Sequence, residues 1–236
     1  MPRPPAAHPR NPNAMNNPNN AAIIVAAGAG TRLGAATPKQ FLKLNGLPVF
    51  LWSVRAFQKT RLFSQIIVVV PSVFVRRLTP LAQRNNFTLI AGGRERHDSV
   101  KAGLKGLNDS IHYVAIHDGA RPLVTPEIIT RGIAAAQRHG ASVIAVPARD
   151  TVKLSTKKSI VSKTIPRSSV WLAQTPQTFK RSVIERAYAR RPATVTDDAQ
   201  VVESTGVKVI IVPGDYCNIK ITDRRDFSIA RLFIKK

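Results

Sequence analysis

IIVAAGAGTRLGAATPKQF, residues 23–41, is the stretch around which the chain is built. It opens as an apolar, β-branched run, Ile23-Ile24-Val25, the pattern of a strand buried on both faces. The run stops in two alanines, Ala26 and Ala27, and a loop carrying Gly28, Gly30 and Gly34, with Arg32 and Lys39 inside it. A buried strand ending in a glycine-rich loop brings backbone N–H groups close to a ligand, because glycine accepts positive φ and has no Cβ in the way. Such a loop is a cradle for phosphates. It is no P-loop, since no Gly-Lys-Ser/Thr closes it. It is no dinucleotide fingerprint either, since Leu33 stands where the third glycine of G-x-G-x-x-G belongs. What sets it apart is Thr31-Arg32 after the glycines and Pro38-Lys39 at the end, with both cations expected on an exposed loop.

Outward from this loop, strand and helix patterns alternate. Residues 48–60 read as a helix with Phe50, Leu51, Val54 and Phe57 on one face. Residues 65–71, 87–91, 113–117 and 141–146 read as strands, and 73–85, 98–107 and 126–139 as helices between them. That rhythm predicts an α/β fold with a Rossmann-like, mostly parallel sheet flanked by helices. It changes after Pro147. Residues 151–154 and 160–165 read as two short strands around a polar turn at 155–159, a protruding β-arm over about 149–167. Further on, 180–190, 198–205 and 223–234 read as helices, the last with Asp223 as N-cap. Residues 207–212 read as a strand and 218–221 as extended chain. The expected organisation is a disordered, Pro- and Asn-rich extension over 1–20, with Met15 as an alternative start, followed by one domain over 21–236.

Composition narrows the classes. A chain of 236 residues can bury a sizeable core, and no apolar run approaches the roughly 18 residues of a membrane span. The lone cysteine, Cys217, excludes an internal disulfide framework and suits a reducing compartment. The first twenty residues lack the apolar core of a secretory signal and the amphipathic pattern of a transit peptide. The expected location is a bacterial-type cytoplasm, with plastid targeting left open. The net charge of +23 exceeds what a phosphate site needs and predicts non-specific attraction to polyanions. A nucleic-acid-binding protein is therefore the competing reading from another class. It requires clustered cations with aromatic platforms; here aromatics are 6%, mostly Phe at core-periodic positions, and the cations are spread along the chain. No specific nucleic-acid partner and no membrane partner is expected.

In open α/β sheets, ligands bind beyond the carboxyl ends of the strands. The chemically loaded residues fall there repeatedly: 28–39 after the first strand, Gly92-Gly93-Arg94-Glu95-Arg96 with Asp98-Ser99 after the third, His117-Asp118-Gly119-Ala120-Arg121-Pro122 after the fourth, and Arg149-Asp150-Thr151 after the fifth. Asp118 has two readings. It is a ligand for Mg²⁺, which takes few protein carboxylates and keeps waters and phosphate oxygens, or it caps the following turn with Arg121 as its partner. His117 reads as a neutral structural imidazole, because a phosphate nucleophile is already ionised at neutral pH and needs no base.

The glycine-rich loop resembles the signature of sugar-phosphate nucleotidyltransferases, and its Pro38-Lys39-Gln40-Phe41 ending resembles the cytidylyltransferase branch that handles methylerythritol phosphate or ribitol phosphate. HDGARP is similar to the HDAARP of the methylerythritol phosphate enzymes. GGRERHDSV, ARDTVK, TPQTF, VTDDA and NIKIT continue the likeness in family order up to Phe227. Arg94 departs from it, standing where the family often carries an acidic or other residue near the base. Ala120 and Arg121, with residues 149–153, favour methylerythritol phosphate over ribitol phosphate.

The resemblance implies a transfer of CMP from CTP to the sugar phosphate with release of pyrophosphate, assisted by Mg²⁺. It implies that Ala26, Ala27, Gly28 and Gly30 line the nucleotide, that Gly93 and Ser99 select cytosine, and that Asp118 and Arg121 also belong to the nucleotide site. Arg32, Lys39 and Lys220 would be catalytic, stabilising charge on the α-phosphorus. Thr175, Thr196 and Lys220 would face the sugar phosphate, and Thr151 and Arg167 would reach it from a partner subunit. The arm agrees with a partner. It holds Lys153, Lys157, Lys158 and Lys163 and a few apolar residues, and a two-stranded ribbon this small is not stable alone. A homodimer through residues 149–167 is expected, since two-fold pairing is the commonest closed assembly.

Overall fold

The computed structural model describes residues 19–28, 38–156, 158–190 and 196–234. Residues 1–18 of the expected extension, and with them Met15, lie outside the described residues, as do Gly30, Arg32, Gly34 and Lys157. Asn20, assigned to the extension from sequence, instead opens the first strand, β1 (Asn20–Val25). It is buried, and its Nδ2 donates to the Leu62 carbonyl at 2.7 Å, which anchors the strand's first residue.

A 3-10 turn (Lys39–Phe41) and a hairpin of β2 (Lys43–Leu44) and β3 (Leu47–Pro48) lead into α1 (Val49–Thr60). The alternation then runs β4 (Gln65–Val70), α2 (Ser72–Arg84), β5 (Thr88–Ala91), α3 (Arg96–Lys105), β6 (Tyr113–Asp118), α4 (Pro126–His139) and β7 (Ala141–Pro147). The arm is β8 (Val152–Ser155) paired antiparallel with β9 (Val161–Ile165). The chain continues through β10 (Trp171–Lys180), α5 (Arg181–Ala189), α6 (Asp198–Glu203), β11 (Ile210–Pro213) and α7 (Arg224–Phe233). Asp223 caps α7 as expected, accepting from the N–H groups of Arg225 and Asp226.

The main sheet has seven strands in the order β11-β7-β10-β6-β1-β4-β5. All neighbours are parallel except β10, which runs antiparallel between β6 and β7. Alternation along β1 divides the core. Ile23 faces a layer with Val100 and Leu104 of α3 and Ile184 of α5, while Ile24 faces one with Phe50, Val54 and Phe57 of α1 and Ile128 of α4. At 25 cal/mol per Å², each of these large side chains contributes roughly 1.5–3 kcal/mol on burial. A third cluster packs α7 on the hairpin through Leu44, Val49, Ile221 and Ala230.

Three features of the fold depart from the sequence expectations. The strand β10 falls in a stretch read only as a motif. Its Pro176 and its polar residues at 174–178 argue against a central strand, and it is bulged between Ala173 and Gln177. The β2–β3 hairpin was also not read, although Asn45-Gly46 is its signal: both residues have positive φ, 48° and 87°, as a two-residue hairpin turn requires. Finally, α3 begins at Arg96 rather than at Asp98, because Asp98 is its third residue and accepts from the Glu95 N–H at 3.2 Å. That shift places Arg96 in the first turn of a helix at the sheet's carboxyl rim.

Candidate active site

Two cavities open on that rim. The larger, about 380 Å³, is lined at the strand ends by residues with little or no side chain, Ala26, Ala27 and Gly28 after β1, Gly93 after β5, and Ala120 after β6, and elsewhere by polar residues that include Ser99, Lys39, Gln40, Arg94 and Glu95. Close approach explains the glycines. A Cβ on Gly92 would lie 2.5 Å from that of Ala27, and one on Gly93 would lie 2.2 Å from that of Asp98. Gln40 fixes the other wall. Its buried Nε2 donates to the carbonyls of Ala26 and Gly28 at 2.7 and 2.6 Å, which ties the 3-10 turn to the loop after β1. Lys39 therefore sits half-buried on an anchored turn, not on the exposed loop expected from sequence.

The smaller cavity, about 240 Å³, is walled by side chains: Arg121, Gln174, Thr175, Gln177, Thr196 and Asp197. The unexpected strand β10 supplies three of these. These three are paired. Gln177 donates to Asp197 Oδ2 at 2.8 Å and accepts from the Ala199 N–H, and Gln174 donates to the Asp215 carbonyl. Thr175 Oγ1 accepts from the Asp118 N–H at 3.0 Å, which joins β10 to the end of β6.

Arg96, Asp118 and Lys220 belong to both cavities. Asp118 is 8% exposed, and three cations face it: Lys220 Nζ at 2.9 Å, Arg96 Nε at 3.2 Å and Arg121 Nε at 3.8 Å. Burial pushes the Asp118 carboxyl up, but Arg96, Lys220 and Arg121 together outweigh it and hold it well below the usual carboxylate range. Arg121 donates to the Asn218 carbonyl through Nη1 at 2.7 Å, and its Nε meets Asp118 at ion-pair rather than hydrogen-bond distance.

His117 lies beneath this cluster and is fully buried. Burial is the largest influence on it and pulls its pKa down to about 4 against the upward pull of Asp118. Its ring nitrogens meet Thr175 Oγ1, Ser53 Oγ and the Arg121 carbonyl at 3.0–3.2 Å. The imidazole is neutral at physiological pH and structural, as read from sequence.

The structure thus gathers Ala26, Ala27, Gly28, Lys39, Gly93, Ser99, Asp118 and Lys220 around the larger cavity, and Asp118, Thr175, Thr196 and Lys220 around the smaller; Arg121, expected with the nucleotide residues, lines only the smaller. Gly30 and Arg32 lie outside the described residues. Thr151 and Arg167 line neither cavity; Arg167 Nη1 instead donates to the Arg149 carbonyl at 3.0 Å. Arg96 and Gln40 were quoted in sequence motifs without a role. The signal for Arg96 was there, since a helix start two residues earlier puts it at the rim. Among the described residues no group of three or more His, Cys, Asp or Glu could hold a metal. A divalent cation here would rest on Asp118 alone and on oxygens of its ligands.

A carboxyl-rim site of this kind, with a backbone-lined cavity and a polar one sharing a wall of cations around one carboxylate, defines a phosphate-handling enzyme of the nucleotide-binding α/β class. A family model described as 2-C-methyl-D-erythritol 4-phosphate cytidylyltransferase matches residues 20–236, and the chain belongs to that family. A protein of that name from Endomicrobium trichonymphae is 45% identical over 92% of this chain and 99% of its own. One from Syntrophus aciditrophicus is 43% identical over 93% and 97%. The crystal structure of 4-diphosphocytidyl-2C-methyl-D-erythritol synthase from Anaerococcus prevotii superimposes with a TM-score of 0.80 at 29% identity, covering 91% of this chain and 97% of that one.

Proposed function

We propose that this protein transfers CMP from CTP to 2-C-methyl-D-erythritol 4-phosphate, giving 4-diphosphocytidyl-2-C-methyl-D-erythritol and pyrophosphate, a step of the non-mevalonate route to isoprenoid precursors. The observation that carries the reading is the shared wall. Two ligands seated in the two cavities meet at Arg96, Asp118 and Lys220. The family supplies what the ligands are, and the three relatives named above all carry the methylerythritol name, which favours that acceptor over ribitol phosphate.

In this reading the larger cavity holds the nucleotide. Backbone groups of Ala26, Ala27, Gly28 and Gly93 face it, Ser99 and Gly93 read the base, and Arg32 and Lys39 hold the triphosphate. Thr175, Thr196 and Arg121 hold the sugar phosphate in the smaller cavity. An oxygen of that phosphate attacks the α-phosphorus of CTP, the bond to the bridging oxygen of the β-phosphate breaks, and pyrophosphate leaves. Two anions must approach each other, so fixed cations that bind the pentacoordinate state more strongly than the ground state lower the barrier. Lys220 suits that task. Its side chain is 41% exposed and shares Asp118 with two arginines, so it can move to a phosphate without stranding the carboxylate. No general base is needed, and neutral His117 supplies none. Mg²⁺ fits Asp118, which is ionised at working pH, and when bound it would offset charge on the triphosphate.

A homodimer through the arm is part of the same reading. Leu154, Ile160 and Val161 on the arm and Leu172 beside it are exposed and call for a cover. Thr151 and Arg167 lie away from both cavities of their own chain, as residues serving a neighbour's site would. A cytoplasmic location is supported by the exposed, unpaired Cys217, and among the described residues no helix is long and apolar enough to cross a membrane.

Incubation with CTP, Mg²⁺ and each sugar phosphate, read by pyrophosphate release, tests the reaction. Turnover with methylerythritol phosphate and its loss on chelation are expected; turnover only with ribitol phosphate would replace the acceptor. For the dimer, mixing Arg167→Ala with Lys39→Ala, each nearly inactive, should restore about a quarter of normal activity as random exchange makes one intact site per mixed pair. Confirmed exchange without recovery would place Arg167 in its own subunit's site.

A further inference from the structure

Arg96 is held from behind the wall it contributes to. Its Nη1 and Nη2 donate to the two carboxylate oxygens of Asp198 at 2.9 and 2.7 Å, while its Nε donates to Asp118 at 3.2 Å. Asp198 opens α6, is 0% exposed, and lines neither cavity. Its remaining donor is the Tyr188 hydroxyl of α5, at 2.5 Å. The Tyr188 ring stacks on His97, the residue after Arg96, with centroids 4.4 Å apart and planes 7° from parallel. Two contacts therefore run from α5 and α6 to the first turn of α3, one through Asp198 and one through the stacked rings.

A carboxylate buried this deeply is costly, and well-packed apolar residues in place of such a pair often serve stability as well or better. The pair contributes orientation. A fork-on-fork contact fixes the plane of the guanidinium, not merely its distance. With that plane fixed, the Nε–H is directed at Asp118, and Asp118 keeps a cationic partner whichever way Lys220 moves.

We propose that Asp198 and Tyr188 are positioning residues that act through Arg96, holding its guanidinium at the wall between the two cavities so that Lys220 can leave Asp118 for a phosphate. The inference rests on the cytidylyltransfer reading above. Burial and then Asp198 raise the Tyr188 pKa, so the hydroxyl keeps its proton and donates throughout the working range. Asp198 in turn is kept from solvent, nucleotide and acceptor alike, which is why it affects rate only by way of Arg96.

A double-mutant cycle tests this, because residues that act through one another lose additivity. Asp198→Asn should lower kcat by roughly 30-fold in the native background, with both KM values within about threefold, and by less than about threefold once Arg96→Ala is present. Tyr188→Phe, which keeps the ring and its stacking on His97, should follow the same pattern with a loss of about three- to tenfold. Should Asp198→Asn fail to give a cooperative melt, the Tyr188→Phe cycle decides alone. Arg96→Lys, which keeps the charge but not the fork, should not restore the rate. Equal losses in both backgrounds, or rescue by Arg96→Lys, would overturn the positioning role while leaving the reaction intact. An unaltered protein that releases no pyrophosphate from CTP and methylerythritol phosphate would overturn the reaction, and the positioning role with it.

Discussion

The two cavities share a wall but draw the rest of their lining from different parts of the chain. The larger brings main chain close at the ends of β1, β5 and β6, where Ala26, Ala27, Gly28 and Gly93 carry little or no side chain and Gln40 pins the loop, and it is completed by charged residues such as Lys39 and Arg94. The smaller is lined by polar residues of β10 and the loop before α6, with Gln177 donating to Asp197 and the Thr175 hydroxyl accepting from the Asp118 N–H. Main-chain walls suit a large, flat ligand recognised by fit and by a few directed groups. Side-chain walls suit a small acceptor that must be told from its isomers. The difference teaches where each ligand's selectivity resides, and it can be broken at several points.

The largest effect concerns the base. If the main-chain cavity reads cytosine, CTP should exceed UTP in kcat/KM by about 10⁴, as sites built around a base's exocyclic donor discriminate. Comparable rates with the two nucleotides would remove base reading from that cavity. A smaller effect sharpens the other side. Thr196→Ala removes one hydroxyl from the side-chain cavity and should raise KM for the sugar phosphate about tenfold, leaving KM for CTP unchanged, in keeping with the roughly 1–1.5 kcal/mol of one hydrogen bond. A change in both constants would mean that the cavities are not separate subsites.

Smaller again is the effect of His117, which lies under both cavities and should serve neither chemically. Its pKa is depressed to about 4, so the unfolded chain takes up the proton first as pH falls. The contribution of His117 to stability is therefore complete above about pH 6.5 and is lost between about 6.5 and 4, by on the order of 3 kcal/mol at most. His117→Gln should flatten that limb of the melting profile. The kcat profile of the native enzyme should show no ionisation of His117 in the same window; an inflection abolished by this substitution would make it a base after all.

The same contrast governs what could be read from sequence. The main-chain cavity was legible because glycine spacing and β-branched runs are local signals, and Ile23-Ile24-Val25 followed by Gly28 and Gly93 announces a strand-end cradle. The side-chain cavity was much less so. The sequence of β10 places Gln174, Thr175 and Gln177 where a central strand should be apolar, and adds Pro176. Those residues line the smaller cavity, and their partners lie at Asp118, Asp197 and Asp215, in other segments of the chain. Arg96 was missed for a related reason. The helix start places it at the rim, but its bidentate partner Asp198 lies 102 residues away, a distance no local pattern spans.

The central claim is that the two cavities share one reacting wall, and Lys220→Met tests it most directly, because methionine keeps much of the stem and removes the charge. Steady-state kinetics should show kcat lowered by about 10²–10³, the loss expected for one fixed cation at the developing charge, with KM for CTP and for methylerythritol phosphate both within a fewfold of normal. A near-normal kcat with KM raised for only one of the two would assign Lys220 to a single cavity and contradict the shared wall.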